Sequence, residues 1–208
     1  MNFTNSDYFT FNVDNSMLLV GQSGSGKSTL EDKLLDRTVK SRSPKELQFV
    51  LLDMTITDFD WLIKRHKDHI YGYTNGTDPE LGLTLLEQMA HLSEQRLKGA
   101  ETKPMFFILI EECDMAVLDQ KRFDNAIIKI NNNTKEANMK LIYSTSRISP
   151  QTVSERLKDS FDLIVAGQLN SVESYKFIGA TATDVKNHKL YEFMIKSKQP
   201  VYHSQPEL

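Results

Sequence analysis

The chain has 208 residues, 39% hydrophobic and 25% charged, with nine glycines, six prolines and one cysteine, which describes a globular domain and excludes a disordered, fibrous or disulfide-stapled chain. With 25 Lys and Arg against 28 Asp and Glu, the formal net charge is −3, so no global basic field draws in nucleic acid and any such contact has to be local. Apolar runs such as Met105–Ile110 are far too short to span a membrane, the N-terminal residues lack the basic and apolar regions of a secretory leader, and Cys113 has no partner for an internal disulfide; the sequence reads as a single cytosolic domain over residues 1–208, without membrane insertion.

Short apolar runs alternate with longer amphipathic stretches, the pattern of βαβ units and a mostly parallel sheet flanked by helices. The first run, Met17-Leu-Leu-Val20, leads directly into Gly21-Gln22-Ser23-Gly24-Ser25-Gly26-Lys27-Ser28, followed by Thr29. This matches G-x-x-x-x-G-K-[ST] in the strand-to-helix context that the motif requires. The glycines let backbone N–H groups converge on phosphates at a helix N-terminus, Lys27 reaches the β- and γ-phosphates, and the Ser28 hydroxyl takes Mg²⁺. ATP and Mg²⁺ are the expected cofactors. A helix is predicted from Lys27 to about Val39, with Leu30, Leu34 and Leu35 on one face.

Leu47–Leu52 is the second buried-strand candidate, and a basic run, Lys64-Arg65-His66-Lys67, comes after it. A second helix is predicted from Pro79 to about Leu97, carrying Leu83, Leu86, Met89 and Ala90. Met105–Ile110 is a continuous apolar strand that ends in Glu111 and Glu112. This is a Walker B pattern. Successive side chains point to opposite faces of a strand, so one carboxylate can support the metal and the other can polarise a water aimed at the γ-phosphorus. We assign the metal to Glu111, with Ser28, and the catalytic base to Glu112.

Leu141–Thr145 and Leu163–Ala166 are the remaining buried strands, and Glu192–Lys196 with Pro200–His203 reads as a terminal hairpin around Ser197-Lys-Gln199. The five histidines are scattered and have no cysteine partners at zinc spacing.

The loop, the acidic strand end and Leu141-Ile-Tyr-Ser-Thr145-Ser-Arg147 in this order resemble the FtsK/HerA superfamily of DNA-pumping ATPases. The likeness extends to Phe49–Asp53 as a second strand ending in Asp, to Thr77-Asp78-Pro79 with the long helix after it, and to Glu192–Lys196 as a closing hairpin. The resemblance implies a RecA-like, additional-strand P-loop fold in which Thr145 senses nucleotide state and Arg147, Lys135 or Arg156 serves as an arginine-finger-type cation. It also implies a homo-oligomeric ring of about five or six subunits that translocates double-stranded DNA. A bare core of this kind looks most like a viral genome-packaging ATPase, acting in the host cytoplasm and docked on a capsid portal or vertex.

Lys121 and Arg122 follow the acidic strand where related motors place a pore-facing loop, and they are the candidate DNA contacts. The chain departs from the family pattern at Glu111, where Asp is usual, at Ser146, where Gln precedes the arginine, and at Thr134-Lys135-Glu-Ala-Asn138, where a basic segment is common. The alternatives are a secretion or conjugation coupling ATPase, a nucleotide-switched binding module, and an ABC-type ATPase. For the last, Leu92-Ser93 and Gln95-Arg96 imitate a signature loop without its glycines.

Overall fold

The runs Met17–Val20, Met105–Ile110 and Leu163–Ala166 are apolar at every position because each is covered on both faces, the condition of a parallel strand between two layers of helices. The computed structural model describes residues 4–5, 15–53, 59–112 and 119–198. Its strands are β1 (Thr4–Asn5), β2 (Met17–Val20), β3 (Leu47–Asp53), β4 (Ile70–Asn75), β5 (Met105–Glu111), β6 (Met139–Thr145), β7 (Leu163–Ala166) and β8 (Met194–Ser197). Its helices are α1 (Lys27–Lys40), α2 (Asp60–Arg65), α3 (Pro79–Leu97), α4 (Gln120–Asn132), α5 (Glu155–Ser160), α6 (Val172–Phe177) and α7 (Ala182–Asn187).

The strands form one sheet in the order β1-β8-β7-β2-β6-β5-β3-β4. From β7 to β4 all neighbours are parallel, and β8 and β1 are added antiparallel at one edge. Strand β6 therefore lies between the strand that feeds the phosphate loop and the strand that ends in the carboxylates. This insertion defines the additional-strand architecture.

Alternation divides the core by residue. Leu18, Val20, Val50, Leu52, Ile108, Ile110, Leu141 and Tyr143 pack with α3, α4 and α5, whereas Met17, Leu19, Phe49, Leu51, Phe107, Leu109 and Ile142 pack with α1 and α2. Helix α3 starts where its sequence provides a cap: the Asp78 carboxylate accepts from Leu81 N–H at 3.0 Å and Pro79 occupies the first turn. Near the other end of α3, Arg96 is only 4% exposed. Its guanidinium donates to the carbonyls of Pro104 (2.7 Å), Ala137 (2.8 Å) and Asn138 (3.4 Å) and lies 4.9 Å from the Phe106 ring centre. Arg96 thus ties the segments entering β5 and β6 to α3. Arg96→Met should lower stability by about 3 kcal/mol, because it strips donors from buried carbonyls; an unchanged urea midpoint would contradict that role.

Two features differ from the sequence expectation. Strand β4 was not anticipated, because Ile70-Tyr-Gly-Tyr-Thr-Asn75 is a half-buried edge strand without a continuous apolar run. Of the expected hairpin, the first arm is β8, but its edge at Met194 and Ile195 is taken by β1. The second arm, Pro200–His203, lies outside the described residues, as does Cys113.

Candidate nucleotide site

The parallel strands end together at one edge of the sheet, and there the loops after β2, β5 and β6 meet. Gly21–Gly26 turns the chain from β2 into α1. A Cβ on Gly21 would lie 2.4 Å from Ser25 Oγ, so the loop closes this tightly only without a side chain at that position. Gly26, at φ 96°, caps α1 in a left-handed conformation open to glycine at little cost. Gln22 anchors the loop to the segment after β7, donating through its backbone N–H to the Gln168 carbonyl (2.7 Å) and through its side chain to the Gln168 side chain (2.9 Å). The unpaired N–H groups of the first turn of α1 then face a cleft of about 440 Å³.

Lys27, although it lines this cleft, is 6% exposed. Its ammonium donates to the Gly21 carbonyl at 2.7 Å and lies 3.7 Å from Glu112 Oε1. Glu111 and Glu112 are separated by their backbones. Glu111 is the last residue of β5, 2% exposed, and falls in the alternation of Phe107 and Leu109, on the sheet face that carries α1 and hence Ser28. Glu112 then takes φ 46°, a left-handed conformation seldom adopted by residues other than glycine, and its carboxylate turns towards β6. There Oε2 accepts from the Ser146 N–H (2.9 Å) and the Ser146 hydroxyl (3.0 Å), while the Glu112 N–H donates to the Ser144 carbonyl at 2.9 Å.

Ser28 and Glu111 are hard oxygen donors, which suit Mg²⁺ when phosphate oxygens and waters complete the shell. Among the described residues no group of three or more His, Cys, Asp or Glu could hold a metal. A metal at this site would therefore be shared with the phosphates.

The other candidates are distributed as follows. Arg147 is exposed just beyond β6. Thr145 is buried, and its hydroxyl closes a local turn, accepting from Arg147 N–H (3.2 Å) and donating to the Arg147 carbonyl (3.3 Å). Ser146, not Thr145, lines the cleft. Lys135 is exposed before β6, at the opposite edge of the sheet. Arg156 is exposed on α5 and donates to Asn125 at 3.3 Å.

Lys121 is exposed on α4, but its expected partner in DNA contact is committed elsewhere. Arg122 grips Glu87 with two hydrogen bonds of 2.9 Å and reaches Glu80 at 2.9 Å, linking α4 to α3. The same hydrogen bonds hold the Glu87 carboxyl below its ordinary range. Two carboxylates surround this one guanidinium, and Arg122 ties α4 to α3. In the Lys64–Lys67 cluster, Lys64 pairs with Asp60 one turn away at 2.7 Å on an exposed face.

The first 102 residues carry a further sign: residues 2–102 match the FtsK/SpoIIIE family. The DNA translocase FtsK of Chlorobaculum tepidum is 23% identical over 180 residues, spanning 74% of this chain. The genome-packaging NTPase B204 of Sulfolobus turreted icosahedral virus 2 superimposes with a TM-score of 0.64 at 18% identity, over 95% of this chain and all of B204. The chain has the fold of a P-loop ATPase and resembles the FtsK/HerA type. A third relative, the conjugation coupling protein TcpA of pCW3, superimposes with a TM-score of 0.74 at 13% identity, over 95% of this chain and 63% of TcpA. The chain spans only 22% of the curated translocase.

Two cleft residues have no counterpart in the sequence reading. Ser146 was marked only as a departure from glutamine. Tyr191, 69% exposed on the cleft wall, was not singled out at all, because its placement depends on a turn that residue types do not reveal.

Proposed function

We propose that this domain hydrolyses ATP with Mg²⁺ to move double-stranded DNA, as one subunit of a ring that packages a viral genome. The observation that carries the hydrolytic part is the arrangement of Lys27 and Glu112 across one cleft, with Ser146 fixing the carboxylate. ATP phosphates seated on the N–H groups of Gly24–Thr29 draw the Lys27 ammonium from the Gly21 carbonyl and from Glu112. Glu112 Oε1 is then free to accept a proton from a water while Ser146 retains Oε2. The water oxygen bonds to the γ-phosphorus, the bridging oxygen leaves with ADP, and the proton rests on Glu112. Ser28 and Glu111 would hold Mg²⁺, which when bound neutralises charge on the phosphate oxygens.

The DNA-packaging part is supported by the match to B204, which this chain covers from end to end at similar size. TcpA favours a second reading, a conjugation coupling ATPase. Both are tested by measuring ATPase with and without duplex DNA over a salt series. Duplex DNA should raise turnover, and Lys121→Ala should reduce that stimulation and flatten its salt dependence, because fewer phosphate counterions are released per subunit. Changing Lys64, Arg65 and Lys67 together should have the smaller effect. Turnover indifferent to DNA in the wild-type protein would rule out the DNA motor and leave a protein-coupled or switch ATPase.

A further inference from the structure

Sheet order gives the cleft two sides. The phosphate loop follows β2; on one side lie β6 and β5, contributing Ser146, Glu111 and Glu112, and on the other lie β7 and β8. Phosphate chemistry belongs to the acidic side. The β8 side presents instead an aromatic ring, Tyr191, three residues before the strand.

Tyr191 has three properties that rarely coincide without a use. It is 69% exposed, it adopts φ 66°, and it lies against the loop, with Cδ1 3.5 Å from where a Cβ on Gly26 would be. A β-carbon is strained in this left-handed region, and such conformations persist only where the surroundings impose them. Here the surroundings do so through a buried chain of hydrogen bonds. The Tyr175 hydroxyl accepts from Leu169 N–H at 3.1 Å and donates to His188 Nδ1 at 3.0 Å; His188 Nε2 then donates to the Glu192 carbonyl at 2.9 Å. A carbonyl can only accept, so this chain requires the proton on Nε2. Lys189 and Glu192 close the turn, Lys189 N–H donating to the Glu192 carboxylate (3.1 Å) and Glu192 N–H to the Lys189 carbonyl (3.2 Å). The ring is thereby held at the mouth of the cleft before any ligand arrives.

We infer that Tyr191 is the platform on which the purine base of the nucleotide stacks. This rests on the reading of the cleft as a nucleotide site and adds the part of the ligand that the phosphate loop does not read. An exposed ring gains by being covered with another flat π-face, as a base stacked on an aromatic side chain is. Purines offer more face than pyrimidines, so the platform favours ATP over UTP. The ring alone does not separate ATP from GTP.

Calorimetric titration of ATP, UTP and inorganic tripolyphosphate, each with Mg²⁺, into the wild-type, Tyr191→Ala, Tyr191→Phe and Lys27→Ala proteins tests it. Tyr191→Ala should lose roughly fivefold or more in ATP affinity, lose less for UTP, and bind tripolyphosphate as the wild type does. Tyr191→Phe should keep ATP affinity, since the stack uses the ring and not the hydroxyl. Unchanged ATP affinity in Tyr191→Ala overturns the platform. So does an equal loss for tripolyphosphate, which would make Tyr191 a support of the loop. Failure of the underlying reading looks different: wild-type and Lys27→Ala proteins would bind tripolyphosphate equally.

Discussion

Lys27→Ala should abolish measurable ATP binding. Hydrogen bonds to charged groups contribute about 1.5–3 kcal/mol each, so losing two of them to phosphate oxygens corresponds to a loss of more than about a hundredfold in affinity. The ammonium is buried and also braces the Gly21 carbonyl at 2.7 Å. The variant should therefore be slightly less stable, by about 1 kcal/mol, or roughly 2–4 °C in Tm for a chain of this length. Calorimetry and a melting curve on the same sample separate the two effects. A folded variant that still binds ATP tightly would remove Lys27 from the phosphate site.

Glu112→Gln should retain ATP and lose turnover by about 10²-fold or more, the scale of a positioned general base. Glutamine suits the test because its carbonyl oxygen can still accept from the Ser146 N–H and hydroxyl, which now hold Oε2 at 2.9 and 3.0 Å. Geometry is kept and basicity is lost. Glu111→Gln should instead raise the Mg²⁺ concentration needed for half-maximal turnover, because Glu111 lines the same cleft as Ser28. Single-turnover hydrolysis over a Mg²⁺ series distinguishes them. If Glu111→Gln stopped turnover at saturating Mg²⁺ while Glu112→Gln left it near normal, the two assignments would have to be exchanged.

The parts of the fold that were legible share a physical cause. Strands β2, β3, β5, β6 and β7 are buried on both faces, so each appears as an apolar run, and α1 and α3 each carry one apolar stripe. The phosphate loop was legible because its backbone geometry demands particular residues. Strand β4 was not, since an edge strand tolerates Tyr71 at 56% exposure and a glycine at its centre. Within the site, adjacent glutamates announced a division of labour, but the φ of Glu112 decides which partner its carboxylate meets, and no residue type encodes that. Ser146 was hidden for the same reason. The ion pairs of Arg122 were not legible, because a basic pair in sequence carries no information about Glu80 and Glu87, which approach from α3.

The position of β2 in the sheet also governs when the site can exist during synthesis. Met17 pairs with Ile142 on one side and with Leu163 on the other. The strand feeding the phosphate loop is thus made among the first and paired among the last. Meanwhile β3, β4 and β5 can associate with one another, and α3 can cover them, well before β6 has been translated. Such distant pairings delay folding, because loop closure must precede the contacts that offset it. A nascent chain halted before Ala166 has its phosphate-loop residues but lacks β7, one of the two strands that flank β2. Nucleotide binding should consequently appear late, as one of the last properties the growing chain acquires.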